Sequence, residues 1–295
     1  MRPAIHVAIV GVGNMGGGML SRLCRLGWAV GVYDSDAKAQ LHAVSLGGMA
    51  FGSASEAAQQ LTDTGVLMVV VVDAAQTEAV LWDKGGAAQT MKPGQTVMLC
   101  PTLGPATVEN HAQRLAQRGI DCIDAPMSGG PLRAQDGSMS LMVACSEPVW
   151  QRNLALLNAL SQKVFRVGTC AGDGARTKLV NNLLAAVNLA GAAEAIALAE
   201  RLGLDPVRTL SVIEASSGQS WIGSDRMGRA LAGDFEPRAH VSLLAKDTGL
   251  AVQAADQVAF DPPLGRLTRD LFAQALARGW AGLDDAALLH LMRQR

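Results

Sequence analysis

The sequence lacks paired cysteines and any long apolar run. Its five cysteines are odd in number and scattered, and no two form a Cys-x-x-Cys pair, which argues against a disulfide framework and for a reducing, cytoplasmic location. The longest apolar run, residues 65–72, is far shorter than the ~20 residues of a membrane-spanning helix. Gly11, Gly13 and Gly16 interrupt the apolar N-terminus where a secretion signal requires a helix. We therefore expect neither a membrane segment nor secretion.

Neither sign of charge dominates the chain. Lysine and arginine total 25 against 26 acidic residues, a net charge of −1, which argues against a sequence-independent nucleic-acid binder because such proteins carry a basic excess. The five histidines show no His-x-x-x-His spacing and no clustering with cysteine, so no metal site is predicted. Lysine is scarce, with six residues, and the position of each lysine is therefore informative.

The length of 295 residues corresponds to two domains at ~150 residues each. Strand and helix patterns alternate over the first part of the chain, which predicts a doubly wound parallel sheet of the Rossmann type. From Ala175 to Leu202 the sequence is rich in alanine and leucine without proline, and a helix of that length spans ~42 Å. We predict a dinucleotide-binding α/β domain, residues 1–171, joined by this helix to an all-α domain, residues 172–295, that completes the active site.

The individual elements follow from hydrophobic periodicity and from the residues that begin and end helices. The predicted strands are Ile5–Val10, Trp28–Tyr33, Val66–Val72, Val97–Cys100, Asp121–Asp124, Ser138–Ala144 and Val164–Val167. The predicted helices of the first domain are Asn14–Leu26, Asp36–Leu46, Ser53–Leu61, Ala75–Lys84, Pro105–Arg118 and Pro148–Leu160. The second domain is predicted to add helices at Pro206–Ala215, Val241–Val258, Leu264–Arg278 and Asp284–Met292.

The first turn after the first predicted strand carries a nucleotide-binding pattern. Gly11, Gly13 and Gly16 fit Gly-x-Gly-x-x-Gly between a strand and a helix, where glycine permits a tight turn and lets the backbone approach a pyrophosphate. Asp34 ends the second strand, 18 residues beyond Gly16, where a carboxylate accepts hydrogen bonds from the adenosine ribose and repels a 2′-phosphate. The pattern predicts NAD rather than NADP. The alternative is a glycine-rich turn without a ligand.

Four segments of the chain resemble the β-hydroxyacid dehydrogenases. Residues 11–19 (GVGNMGGGM) are similar to the dinucleotide loop of that family, and residues 124–130 (DAPMSGG) to its substrate-binding segment. Residues 172–182 (GDGARTKLVNN) are similar to its catalytic segment, and residues 246–250 (KDTGL) to a cofactor segment. The order and spacing of the four segments, which together span nearly the whole chain, make the resemblance specific.

The resemblance implies a role for particular residues. Lys178 is implied as the general acid/base and Asn182 as its catalytic partner, and their i, i+4 spacing places both on one helix face; the alternative is a solvated lysine on an exposed face. The implied substrate-binding residues are Ser128, Gly129, Gly130, Asn181 and Trp221. The implied cofactor-binding residues are Gly11, Gly13, Asn14, Met15, Gly16, Asp34, Val72, Asp73, Thr77, Thr102, Lys246 and Asp247.

These observations predict an NAD-dependent dehydrogenase of a small hydroxy acid. Gly168 lies ten residues before Lys178, and this spacing, with the segments 69–77 and 218–221, is most similar to the L-threonate dehydrogenase branch. The alternatives within the family are 3-hydroxyisobutyrate dehydrogenase and tartronate semialdehyde (2-hydroxy-3-oxopropionate) reductase. A more remote alternative is a dinucleotide-sensing protein without turnover. We expect a homodimer or homotetramer that binds neither nucleic acid nor membrane.

Overall fold

The computed structural model describes residues 4–295. The chain divides into two compact units, of which the first ends at Lys178 and the second begins at Leu179. Helix α8 (Asp173–Arg201) contains this division, so it belongs to both units.

The first unit alternates strands with helices. Its elements before the middle of the chain are β1 (Ile5–Val10), α1 (Asn14–Arg25), β2 (Val30–Tyr33), α2 (Ala37–Ser45), β3 (Met49–Ala50), α3 (Ala54–Gln59), β4 (Leu61–Val69) and α4 (Ala74–Trp82). These are followed by β5 (Thr96–Leu99), α5 (Pro105–Ala116), β6 (Asp121–Asp124), β7 (Met127–Ser128), α6 (Gly130–Asp136), β8 (Ser140–Ala144), α7 (Glu147–Leu160) and β9 (Lys163–Gly168). Helices α2, α3 and α4 begin at side-chain caps, because the N–H groups of their first turns donate to Asp36, Ser53 and Asp73.

The strands form one twisted sheet in the order β3-β2-β1-β4-β5-β6-β8-β7, with β9 paired to β8. The pairs from β3 to β6 are parallel, as is β8 with β9. Strand β8 runs antiparallel to β6 and β7, where the sequence predicted a parallel sheet throughout. Between β6 and β8 the chain forms β7 and the seven-residue helix α6, and β8 then turns back to pair antiparallel with β6 and β7.

The core of the first unit has an apolar layer on each face of the sheet. Val7 and Ile9 of β1 pack with α1 and α7 on one face, and Ala8 and Val10 pack with α3, α4 and α5 on the other. Helices therefore cover both faces of the sheet, and a strand buried in this way has a continuous apolar sequence. The two layers confirm the predicted doubly wound α/β fold.

Strand β4 is displaced from its predicted position. It begins at Leu61 and ends at Val69, whereas the sequence predicted a strand over Val66–Val72 and a helix reaching Leu61. Ile5 of β1 pairs with Leu61 and Val7 pairs with Val66, so the polar residues after Leu61 lie at a shift in the register between the two strands. At the other end β4 stops at Val69 while the apolar run continues through Val72, and the Val70 carbonyl lies against Gly11 of the loop after β1.

The second unit is built from helices joined by loops. After α8 come α9 (Pro206–Glu214), α10 (Trp221–Leu231), α11 (Val241–Gln257), α12 (Pro263–Ala277) and α13 (Leu288–Arg293), around a core that includes the fully buried Phe272 and Leu288. Helix α10 was not among the predicted elements. Gly223 and Gly228 lower its intrinsic helix propensity, but Ser220 caps its first turn and Met227 is buried.

Helix α8 has the length and apolar composition to cross a membrane, with a mean hydropathy of 1.5. It is the one such helix in residues 4–295. A core helix of a soluble protein meets the same criteria, and Leu189, Ala193 and Ile196 of α8 lie in the core of the second unit. This feature by itself is weak support for a membrane span.

Candidate functional site

The glycine loop of the first unit joins β1 to α1, and two of its glycines are required by close backbone contacts. Gly11 has φ +90°, and a Cβ there would overlap the Val70 carbonyl. A Cβ at Gly16 would overlap the Gly11 carbonyl, so this glycine lets the helix pack against the turn. A Cβ at Gly13 would meet nothing within 4 Å among the described residues. Its missing side chain therefore leaves the surface of the loop open.

The start of α1 is arranged to receive an anion. Gly13 occupies the N-cap position without a side-chain cap, and the first turn contains no acidic residue. Asn14 is exposed and Met15 half-buried at this end. The first N–H groups of a helix have no partner within it and carry part of the positive end of the helix dipole. The loop fits the pyrophosphate of a dinucleotide because it combines this dipole with open, side-chain-free backbone.

Asp34 is fixed beside the same loop at the end of β2. Its Oδ2 accepts a hydrogen bond of 2.7 Å from the Val12 N–H, and its Oδ1 accepts one of 2.9 Å from the Asp36 N–H. The Asp34 N–H donates in turn to the side chain of Gln40 at 3.0 Å. These contacts hold the carboxylate at the loop, and each oxygen retains a lone pair for a ribose hydroxyl.

The turn after β4 and the start of α4 contain three of the predicted cofactor residues. Val72 is 49% exposed, and Asp73 caps α4 by accepting from the Gln76 N–H at 2.9 Å. Thr77 is fully buried, and its hydroxyl donates to the Asp73 carbonyl at 2.7 Å. Thr102 follows the neighbouring strand β5 and is half-buried. Val72 is therefore accessible, whereas the hydroxyl of Thr77 is engaged within its own helix.

Asp124 anchors the beginning of α8. Its Oδ2 accepts hydrogen bonds from the Gly172 N–H at 2.8 Å and the Ala175 N–H at 3.0 Å. Burial raises the pKa of this carboxyl to about 6, although the backbone donors work in the opposite direction. A Cβ at Gly174 would lie 2.8 Å from Cγ of Asp124. Glycine at this position therefore allows the start of the helix to dock on the carboxylate.

The segment after β6 turns sharply at two glycines. Ser128 is half-buried in β7, and the chain then passes through Gly129 at φ +135° and Gly130 at φ +77°. Gly129 is the N-cap of α6 and supplies no side-chain cap. The turn therefore brings a hydroxyl and backbone N–H groups close together, which is suited to binding a carboxylate.

Lys178 and Asn182 both lie on α8 and are both only 7% exposed. Asn182 Nδ2 donates to Asp247 Oδ2 on α11 at 2.6 Å, and Asn181 Nδ2 donates to Asn182 Oδ1 at 3.1 Å. Lys246 Nζ lies 2.9 Å from Asp247 Oδ1. Four of the predicted site residues thus form one polar chain in the second unit: Asn181, Asn182, Asp247 and Lys246.

Trp221 begins α10 and is 44% exposed. The Arg226 guanidinium carbon lies 6.0 Å from the centroid of the Trp221 ring. Arg226 also pairs with the buried Asp285. The indole is therefore held beside a fixed cation while much of its surface stays open.

Sequence reasoning missed two functions of residues within these segments. Asp124 begins the segment 124–130, but no role was predicted for it. The signal that could have revealed one is its position as an acidic residue at the end of a buried strand. Asp247 was predicted only as a cofactor residue, and its hydrogen bond to Asn182 joins positions 65 residues apart, which no local pattern reveals.

Two family models match almost the whole chain. A model described as the NAD binding domain of 6-phosphogluconate dehydrogenase matches residues 6–168. A model described as the NAD-binding of NADP-dependent 3-hydroxyisobutyrate dehydrogenase matches residues 172–292. These matches confirm a nicotinamide dinucleotide-binding protein.

Full-length relatives agree with the family models. An L-threonate dehydrogenase of Cupriavidus necator is 35% identical over 97% of this chain and 95% of its own length. A 2-hydroxy-3-oxopropionate reductase of Escherichia coli is 30% identical over 98% and 97%. The crystal structure of a Salmonella typhimurium 3-hydroxyisobutyrate dehydrogenase matches at 35% identity, with a TM-score of 0.90 over 97% of this chain and 99% of that one. The chain belongs to the β-hydroxyacid dehydrogenase family.

Proposed function

We propose that the protein is an NAD-dependent dehydrogenase that oxidises the hydroxyl group of a small hydroxy acid, with L-threonate as the first candidate substrate. The observation that carries the proposal is the burial of Lys178 and Asn182 on α8. Lysine is almost never buried without a specific reason. A buried ammonium one helical turn from a buried amide is suited to proton transfer.

The cofactor is NAD in this proposal. The Gly11–Gly16 loop and the uncapped start of α1 would hold the pyrophosphate, and Asp34 would accept from the ribose hydroxyls. The Asp34 carboxylate is tied to the Val12 N–H and cannot easily turn away. A 2′-phosphate would therefore meet a fixed negative charge.

Lys178 supplies the general base and Asn182 positions the hydroxyl. When bound, the nicotinamide accepts the hydride that leaves the substrate carbon. Lys178 Nζ takes the hydroxyl proton in this direction and returns it to the carbonyl oxygen in reduction. Asn182 Nδ2 has two N–H bonds; one donates to Asp247, and the other remains for the substrate oxygen.

The substrate carboxylate binds at Ser128, Gly129 and Gly130 in this proposal. The Ser128 hydroxyl and the N–H groups at the start of α6 are donors that suit a carboxylate. Trp221 adds an open aromatic surface, and Asn181 an exposed amide. Both are suited to contacting the remaining substrate atoms.

The substrate is tested by measuring NADH formation with a panel of C3 and C4 hydroxy acids. L-threonate is expected to give the highest kcat/KM because of the L-threonate dehydrogenase relatives. The reductase relative makes tartronate semialdehyde, assayed with NADH, the second candidate, and 3-hydroxyisobutyrate is tested beside it. NADH binding without turnover of any of these acids would favour a dinucleotide sensor.

The five cysteines are free thiols, which supports a reducing, cytoplasmic location.

The protein is also proposed to act as a homodimer or homotetramer. Size-exclusion chromatography with light scattering measures the number of subunits directly.

A further inference from the structure

An open cleft lies between α4 and α5 on the surface of the first unit. Its volume is about 500 Å³, and its apolar lining comes from Ala74 and Ala75 of α4 and Ala106 of α5. All three alanines are exposed, so their small side chains leave the space between the two helices open. The residues that line this α4–α5 cleft include none of the predicted cofactor-binding or substrate-binding residues.

His111 of α5 lines the cleft and is only 2% exposed. The indole N–H of Trp82 donates to His111 Nδ1 at 2.9 Å. An indole nitrogen can only donate, so Nδ1 is the unprotonated acceptor and the neutral imidazole carries its proton on Nε2. Burial lowers the pKa of His111, which keeps the ring in this neutral form at pH 7.

The Nε2–H group of His111 has no acceptor within residues 4–295. The polar contacts of the ring in this part of the chain are the Nδ1 bond to Trp82 and an approach of Nδ1 to Glu78. Nε2 is not fully enclosed by protein, so it opens into the cleft that the residue lines. A buried donor of this kind normally has a partner, which water or a ligand in the cleft would supply.

Glu78 of α4 supplies an acceptor beside this donor. Its Oε2 lies 3.9 Å from His111 Nδ1, and its two oxygens accept from Arg114 Nη1 at 2.9 Å and 2.8 Å. The Arg114 guanidinium carbon also lies 4.0 Å from the centroid of the Trp82 ring. The Glu78–Arg114 pair therefore brings no net charge to the cleft, and each carboxylate oxygen keeps a lone pair for a further donor.

These groups suit a neutral ligand that carries an acceptor next to a donor. Thr107 and Asn110 also line the cleft, and both side chains can donate and accept. Within the described chain the lining contains neither lysine nor arginine, so an anion would lack a counter-charge there. A cation would leave the imidazole N–H without an acceptor, which is costly for a buried donor. A primary carboxamide matches the pattern, because its carbonyl accepts and its amino group donates.

We propose that the α4–α5 cleft binds a small neutral molecule with a primary carboxamide group. The carbonyl oxygen accepts from His111 Nε2–H, and the amide N–H donates to the Glu78 carboxylate. The apolar part of the ligand packs on the alanines of the two helices. Ordered water is the competing occupant of the same donor and acceptor.

Benzamide and benzoate are matched probes, since they differ only in the group that meets His111 and Glu78. The indole N–H signal of Trp82 reports binding in two-dimensional NMR, because its acceptor is the ring that the carboxamide contacts. Trp82→Phe identifies this signal among those of the five tryptophans. Benzamide should shift the signal saturably. Benzoate should bind at least about 10-fold more weakly, because it has no amide donor for Glu78.

Two variants test the two parts of the site. His111→Asn keeps an acceptor for the Trp82 indole and removes the donor at Nε2, and Ala106→Leu fills the cleft. Each should weaken benzamide binding at least about 10-fold, while circular dichroism and NAD affinity match the wild type. Ala116→Leu alters an exposed alanine at the end of the same helix. This control should bind benzamide as the wild type does.

Three outcomes would overturn the proposal. The first is a Trp82 signal that benzamide does not shift saturably, which would leave water as the occupant of the cleft. The second is benzoate that binds as tightly as benzamide. The third is wild-type affinity for benzamide in Ala106→Leu, which would assign the binding to another site, such as that of the nicotinamide.

Discussion

The side-chain amide of Asn182 donates a 2.6 Å hydrogen bond to the carboxylate of Asp247, although the two residues are 65 positions apart. Both side chains are buried, so the contact takes place where a hydrogen bond to a charged group is strong. The bond fixes the plane of the amide on α8. The amide in turn has a defined direction in which to present its second N–H.

Asp247→Ala should therefore lower kcat by up to about 100-fold, because Asn182 loses the partner that orients it. The same change leaves a buried donor unsatisfied and should reduce the free energy of unfolding by about 1–3 kcal/mol. Asp247→Asn keeps an acceptor oxygen and should restore much of kcat. Steady-state kinetics and urea titration measure both effects.

Asp256→Ala is the matched control, since Asp256 is exposed near the end of the same helix. It should leave kcat unchanged. If Asp247→Ala raised only KM for NAD, the residue would act on the cofactor rather than through Asn182.

The sequence predicted the positions that local chemistry determines. Gly11 and Gly16 follow from a turn whose carbonyl groups leave no room for a Cβ, and such a turn has a short sequence pattern. Lys178 and Asn182 follow from helical spacing once the family resemblance is recognised. These placements could be predicted because each depends on residues close together in the chain, whereas the catalytic roles of Lys178 and Asn182 stay a prediction.

The remaining features depend on tertiary contacts. The limits of β4 are set by its pairing with β1, and α10 forms despite Gly223 and Gly228 because Met227 is buried. The anchoring of α8 depends on Asp124, about 50 residues before the N–H groups that it binds. Periodicity within a short window contains no information on such partners.

Asp34 should determine the choice of cofactor. We expect a higher kcat/KM with NAD than with NADP in the wild-type protein, because the fixed carboxylate repels a 2′-phosphate. Asp34→Asn removes the charge and keeps an acceptor for the Val12 N–H. It should therefore reduce the ratio of kcat/KM with NAD to kcat/KM with NADP. Equal kcat/KM values for both cofactors in the wild type would contradict this role of Asp34.

Asp124 should make the stability of the first unit depend on pH. Burial raises its pKa from 3.8 to about 6, so the folded state holds this proton over a range in which the unfolded state has lost it. The stabilisation of the folded state by this proton is complete below pH 3.8 and is lost as the pH rises through 6. The loss amounts to about 3 kcal/mol.

The difference in unfolding free energy between wild type and Asp124→Asn isolates this contribution. As the pH rises from about 4 to about 7, the free energy of unfolding of the wild type should fall relative to that of the variant. A difference that does not vary with pH would show that Asp124 has an ordinary pKa in the folded protein.

Gly129 should be sensitive to any side chain. A Cβ there would lie 2.9 Å from Cδ of Arg133 and 3.2 Å from Cα of Met139, at φ +135°. Gly129→Val should raise KM for the hydroxy acid at least about 10-fold by disturbing the carboxylate donors, with little change in NAD affinity. Gly130→Ala, where a Cβ has open space and the only strain comes from φ +77°, should have a smaller effect. An unchanged KM in Gly129→Val would exclude this turn as the carboxylate site.

Lys178 should carry the proton transfer. Lys178→Ala should lose ~10²–10⁴-fold in kcat, the range for a positioned general acid/base, while NAD binding measured by calorimetry stays near wild type because the glycine loop is untouched. Lys163→Ala, on the exposed surface of β9, is the control and should retain full activity.

The pH profile and the double variant distinguish proton transfer from a structural role of Lys178. Oxidation requires the neutral amine, so kcat/KM of the wild type should rise toward alkaline pH, and this rise should disappear in Lys178→Ala. Asn182→Ala should also lower kcat, but the loss in the double variant should be much smaller than the product of the two single losses, because both residues serve one proton transfer. An alkaline rise that persists at near-full kcat in Lys178→Ala would mean that another group, or water, accepts the proton.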